Sequence, residues 1–136
     1  MLALQLDERL INIVNNKRLL AITELGGYPD FSELYEKFGF QVDAVNGMRK
    51  ALRSLKQIDY NVIVAEFNFQ SDFRDRTSSL ETLMAVLQQL DDIKVIIFYE
   101  KEYLHQFEKL RARFSFHAEF AYPIEKNQLQ LVIESI

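Results

Sequence analysis

The sequence predicts an α/β protein: a five-stranded, parallel, doubly wound sheet in strand order 2-1-3-4-5, with helices on both faces. Three observations predict it. Short apolar runs and stretches of helical spacing alternate five times from residue 18 onward. The runs are apolar at successive positions rather than at every second one, as strands covered on both faces require. Right-handed crossovers then leave few topologies, of which 2-1-3-4-5 is the common five-stranded one.

The elements follow in order. Leu19, Leu20, Ala21 and Ile22 form the first strand, and Gly26 to Asp30 a loop. Asp30 stands three residues before Glu33, a capping-box-like helix start, and Phe31, Leu34, Tyr35 and Phe38 share one helical face. Gly39 closes that helix as a C′ residue. A second strand is expected around Phe40–Val45, and Asn46-Gly47 is a turn signal. Met48, Ala51, Leu52 and Leu55 mark the second helix. Asn61–Phe67 is the third strand, apolar until Glu66. Ser78 and Glu81 form a capping box ahead of Leu80, Leu83, Met84 and Leu87. Lys94–Tyr99 is the fourth strand; Leu104, Phe107 and Leu110 mark a fourth helix, and Lys109, Arg111 and Arg113 complement its dipole. Glu119–Tyr122 is a short fifth strand before Pro123, and Leu129, Val132, Ile133 and Ile136 form the last helical face.

Residues 1–17 lie outside this pattern as an N-terminal extension, and residues 18–136 form one domain. Leu10, Ile11, Ile13 and Val14 suggest a short helix, either packed on the domain edge or serving as a dimerisation element. No basic n-region precedes Asp7, so no signal peptide is expected.

Bulk properties remove several function classes. A composition 49% apolar and 26% charged is globular. A net charge of −4 argues against direct nucleic-acid binding, which needs a basic face to displace counterions. The absence of cysteine removes disulfides, thiolate catalysis and cysteine-held metals, and fits a cytoplasmic protein. No apolar stretch is long enough to span a bilayer. His105 and His117 have no neighbouring metal-ligand or nucleophile pattern, and Gly26-Gly27 lacks the spacing of a phosphate-cradling loop.

Ligands in this fold sit at the carboxyl ends of the strands. The residues there are Thr23 and Glu24, Glu66, Tyr99 and Tyr122. Together with the segments Arg18-Leu-Leu-Ala-Ile-Thr-Glu24, Tyr60-Asn-Val-Ile-Val-Ala-Glu66, Lys94–Tyr99 and Phe120-Ala-Tyr-Pro-Ile124, they carry a resemblance. Over residues 18–136 the chain resembles the CheY-like receiver domains of response regulators, which have the flavodoxin-like form of this fold. Such receivers hold Mg²⁺ with two acids after strand 1. An Asp ending strand 3 takes the phosphoryl group, and a small hydroxyl ending strand 4 and a Lys before a Pro after strand 5 bind its oxygens.

By that resemblance the acid pair becomes Thr23 and Glu24, the acceptor Glu66, the hydroxyl Tyr99 and the Lys Tyr122. Pro123 matches, and implies a cis Tyr122–Pro123 bond. Glu66 sets its carboxylate one methylene further out, and a misplacement of roughly 1 Å can cost on the order of a hundredfold. Thr23 removes a charge from a magnesium site. Tyr99 would fill the space of the phosphoryl group. Tyr122 removes the cation that neutralises transition-state charge. The expectation is a degenerate pocket with no catalytic residue, no bound metal and no cofactor. Glu66 itself is open to three readings: a solvated strand-end carboxylate, a mimic of a phosphorylated Asp, or with Glu24 a weak divalent-ion site.

The loop Asn68–Ser79, with Phe69, Phe73, Arg74 and Arg76, is longer than the family's and reads either as a functional loop or as a lid over an empty pocket. The family's output face would here present Lys101, Glu102, His105, Glu108, Lys109, Glu119 and Glu125. Glu119 stands where the family often has an aromatic switch residue. The implied function is a phosphorylation-independent regulatory interaction module without enzyme activity. Its partner is another protein, a downstream output domain or a second copy, with no nucleic acid or membrane. The chain is compatible with a fragment of a larger regulator and with a standalone protein. Two alternatives remain: a receiver retaining weak Mg²⁺-dependent phosphoryl acceptance, and a flavodoxin-like small-ligand-binding domain.

Overall fold

A computed structural model describes residues 17–23, 30–67, 77–90 and 92–136, with backbone only for 77–79. The N-terminal extension up to residue 16, Glu24, the Gly26-Gly27 pair and the loop phenylalanines and arginines of 68–76 lie outside the described residues.

The five strands are β1 (Arg18–Thr23), β2 (Gln41–Asn46), β3 (Val62–Phe67), β4 (Lys94–Tyr99) and β5 (Ala118–Ala121). All pair in parallel, in the order β2-β1-β3-β4-β5. The helices are α1 (Ser32–Lys37), α2 (Met48–Gln57), α3 (Thr77–Leu87), α4 (Leu104–Arg111), entered through a 3₁₀ turn at Lys101–Tyr103, and α5 (Lys126–Glu134). Among the described residues no helix is long and apolar enough to cross a membrane.

Successive side chains on a strand point to opposite faces, and this splits the core in two. On one face Leu20, Ile22, Ile63, Ala65, Phe67, Val95 and Ile97 pack under α2, α3 and α4. On the other Leu19, Val62, Val64, Ile96 and Phe98 pack under α1 and α5, which contribute Leu34, Tyr35, Leu129 and Ile133. Phe107 of α4 is fully buried and centres an aromatic cluster, with Tyr99 stacked at 4.8 Å, Phe67 at 5.2 Å and Phe116 at 5.8 Å.

Several boundaries differ from the sequence reading for local reasons. At the end of α1, Phe40 N–H donates to the Tyr35 carbonyl and Gly39 N–H to that of Glu36, the paired bonds of a Schellman motif. Gly39 takes φ +92°, where a Cβ would be strained. Phe40 therefore belongs to the cap, and β2 starts one residue later. The Asp30 carboxylate accepts the Ser32 N–H at 2.9 Å, an Asx turn rather than the capping box expected with Glu33. Ser78 lies in α3 among the residues described by backbone alone, and the Glu81 carboxylate engages Arg113 at 3.3 Å. Arg111 and Arg113 do more than complement a helix dipole, since each reaches a carboxylate on a neighbouring element.

The edge strand β2 is the least covered. Its Asp43 accepts the Tyr60 hydroxyl at 2.6 Å and pairs with Arg18 at 3.3 Å. Burial, then the bond to Asp43, raises Tyr60 from 10.0 to about 12.

Phe107→Ala is expected to cost about 3–5 kcal/mol in urea denaturation, the range for a large aromatic removed from a close-packed core. Tyr60 is held neutral by the fold, so its contribution to stability is complete below its unfolded value of 10.0 and lost as pH rises toward about 12. Tyr60→Phe should accordingly show a shallower fall of melting temperature over that alkaline window; an unchanged slope would remove Tyr60 from the account.

Candidate functional site

The carboxyl ends of β1 and β3 and the segment after β5 converge on one side of the sheet. Glu66 is paired across the sheet with Phe98. Alternation puts both on the α1/α5 face. Tyr122 follows β5 and is held at the sheet end by its N–H, which donates to the Tyr99 carbonyl at 2.9 Å. These residues, with Thr23, Asp30, Phe31 and Tyr35, line a cavity of about 270 Å³.

Its wall is largely aromatic. Phe98 receives Phe31 edge-on at 5.9 Å and Tyr122 edge-on at 5.9 Å. Tyr35 is buried, and burial together with the Asp30 charge pushes its phenol up, so it lines the cavity as a neutral group. Glu66 is 7% exposed, the one buried charged-type residue among those described. Asp30 is exposed at the rim, and its bonds to Ser32 hold its carboxyl below the ordinary 3.8. The Thr23 hydroxyl donates to the Val45 carbonyl at 3.3 Å, which ties it to the edge strand. Tyr122–Pro123 is cis, as the resemblance implies.

Thr23, Glu66 and Tyr122 thus line one cavity, while Glu24 lies outside the described residues. Tyr99 does not join them. It sits one residue beyond Phe98, so its side chain takes the opposite face and stacks on Phe107. The expectation that its phenol fills the phosphoryl space is corrected, because the strand period sends the ring under α4. Asp30, Phe31 and Tyr35, read from sequence only as a helix start and helix face, are also cavity wall. The fold brings the N-terminal end of α1 over the carboxyl end of β3, which spacing along the chain does not reveal.

Receivers imply a magnesium ion at this end of the sheet. The described lining supplies two carboxylates, Asp30 and Glu66, and the first already accepts the Ser32 N–H. No group of three His, Cys, Asp or Glu among the described residues could hold a metal ion. The described residues do not make up that site.

On the output side, Lys101, Glu102, His105, Glu108, Lys109 and Glu125 are exposed. Glu119 differs: its carboxylate pairs with Arg111 at 2.7 Å and is 25% exposed. The Arg111 guanidinium also lies over the Phe107 ring at 5.1 Å. An ion pair therefore joins α4 to β5 where a free surface carboxylate was expected.

No protein-family model matches the chain, and no curated protein sequence matches it. Solved structures do. The chain superposes on a response regulator receiver domain protein from Clostridium thermocellum with a TM-score of 0.65 at 16% identity, over 88% of this chain and 92% of that one. It is similar to the inactive form of the regulatory domain from the repressor of iron transport regulator, with a TM-score of 0.64 at 20% identity, over 88% and 93%. It is also similar to an adenylate cyclase from Rhodopirellula baltica, with a TM-score of 0.63 at 14% identity, over 88% and 85%. At these identities the likeness establishes the receiver fold.

The Asp30 carboxyl is stabilised as an anion by its hydrogen bonds, so its contribution is present above the ordinary 3.8 and lost as pH falls below it. Asp30→Asn should lose less stability than the parent when chemical denaturation is repeated from about pH 5 down to about pH 2.5. Equal losses in both proteins would show that the turn contributes nothing.

Proposed function

We propose that the chain is a receiver-type regulatory module that acts by binding a protein partner and does not need to accept a phosphoryl group. The observation that carries this reading is that Glu66 and Tyr122 line one aromatic-walled cavity. A phosphoryl acceptor there would be a lengthened acid, and a phenol stands where a cation would neutralise developing charge. Loss of one electrostatic stabiliser commonly costs 10²–10³ in rate, and misplacement of the acceptor adds to it. Thr23, bonded to Val45, supplies no carboxylate for a metal.

The Arg111–Glu119 pair supports the same conclusion from a second direction. An aromatic that rotates between two positions can report on a pocket, whereas an ion pair between α4 and β5 favours one arrangement of that face. The exposed Lys101, His105 and Glu108, with Glu102 and Lys109, form the proposed partner surface. The partner would be an output domain, another protein or a second copy. The module needs no catalytic residue and no cofactor, and a cytoplasmic setting suits it. That a cyclase shares the fold is a reminder that the fold alone does not choose the activity.

The cavity of about 270 Å³ supports a second reading, a site for a small and mostly apolar ligand. It falls just below the size of ordinary ligand pockets, roughly 300–1,000 Å³, so the module reading is preferred.

Incubation of the chain with acetyl phosphate and Mg²⁺, followed by intact-mass measurement, should give no phosphoryl adduct. Beryllofluoride should likewise leave its NMR spectrum unchanged. An adduct that disappears in Glu66→Gln would falsify the proposal.

A further inference from the structure

Helix α2 reads Met-Arg-Lys-Ala-Leu-Arg-Ser-Leu-Lys-Gln, with four cations and no acid, in a chain of net charge −4. Arg49, Lys50, Arg53 and Lys56 are all exposed. Among the described residues none of them pairs with a carboxylate. Such a cluster repels itself along the helix, and nothing in the fold described here offsets it.

Two side-chain contacts show where this face points. Ser54 lies against Tyr60, whose hydroxyl bonds Asp43 on the edge strand β2. The Ser54 flank of α2 therefore faces the sheet edge. At 100° per residue, Arg49 and Lys56 fall on the opposite flank, toward α3, with Arg53 between that flank and solvent. On α3, Glu81 pairs with Arg113 beyond the end of α4, which turns its flank toward α4. Val86 lies on the other flank, toward α2, and Leu90 stands in the turn just past the end of α3; they are 37% and 41% exposed. The two helices pack side by side. The seam between the two helices is thus flanked by the cations Arg49, Arg53 and Lys56 on one side and by the exposed apolar Val86, with Leu90 just beyond the helix end, on the other.

We propose that this seam docks an acidic amphipathic helix of a partner protein. Charge complementarity selects an anionic segment, and the exposed apolar side chains select one with an apolar stripe, as in helix-in-groove recognition. A nucleic acid would leave Val86 and Leu90 unmatched and would meet repulsion from the acidic remainder of the surface. The site is on the far side of the sheet from the Glu66 cavity, so it stands whether or not that cavity accepts a phosphoryl group.

The test titrates the isotope-labelled full chain, at low and high salt, with a designed helical peptide carrying leucines at i and i+4 flanked by glutamates. Amide shifts should concentrate in residues 48–57 and 80–90, and binding should weaken as salt rises. Arg49→Glu and Arg53→Glu together should weaken it about tenfold. Lys50→Glu, which changes charge on the outward face, should weaken it less. All three positions are solvent-exposed, and circular dichroism is the check that each variant folds. The proposal is overturned if shifts centre on α4 and α5, if a peptide with lysines for glutamates binds equally well, or if the double variant binds like the parent. Tighter binding to an oligonucleotide or to phosphatidylserine vesicles than to the acidic peptide overturns it as well.

Discussion

The register of β3 against β4 governs this protein. Glu66 lies opposite Phe98 and Phe67 opposite Tyr99, and the two-residue strand period carries that pairing to both faces. Glu66 and Phe98 turn toward α1 and α5, where Tyr122 and Phe31 close around Phe98. Phe67 and Tyr99 turn toward α4 and complete the cluster around Phe107. A one-residue slip of β4 would turn the Tyr99 phenol into the cavity, and a slip of β3 would instead turn the carboxylate into the Phe107 core. The same hydrogen-bonded ladder thus positions the candidate site and the largest aromatic cluster.

Energetically the two faces differ. The Phe107 side is dispersion and apolar burial, with Arg111 over one ring and its charge paired to Glu119. The cavity side keeps a carboxylate at 7% exposure among aromatic rings. Burying an acid costs free energy, and a buried titratable group at a strand end is a candidate for function rather than stability. The neighbouring phenol of Tyr122 and the bonded hydroxyl of Thr23 are the grounds on which we propose recognition over phosphoryl chemistry. The two proposals give recognition two surfaces: the exposed end of α4, and the cationic seam between α2 and α3. They flank α3 from either side, so one domain could hold two partners without competition at a single face.

Element order, strand order and the two-sided core were legible in the sequence because they depend on local pattern. Apolar runs of strand length alternate with amphipathic helices, Gly39 supplies the positive φ a helix end requires, and chirality restricts the crossovers. That Thr23, Glu66 and Tyr122 line one cavity follows from strand ends in such a sheet meeting at one side. Tertiary structure alone decided the rest, through distances between elements far apart in sequence. Register sent Tyr99 away from the cavity. The approach of α1 brought Asp30, Phe31 and Tyr35 to it. The seating of α4 on β5 captured Glu119 with Arg111, and the side-by-side packing of α2 and α3 brought together cations and apolar residues thirty or more positions apart. Periodicity specifies which face of an element is apolar; only packing specifies which other element that face, or its opposite, will meet.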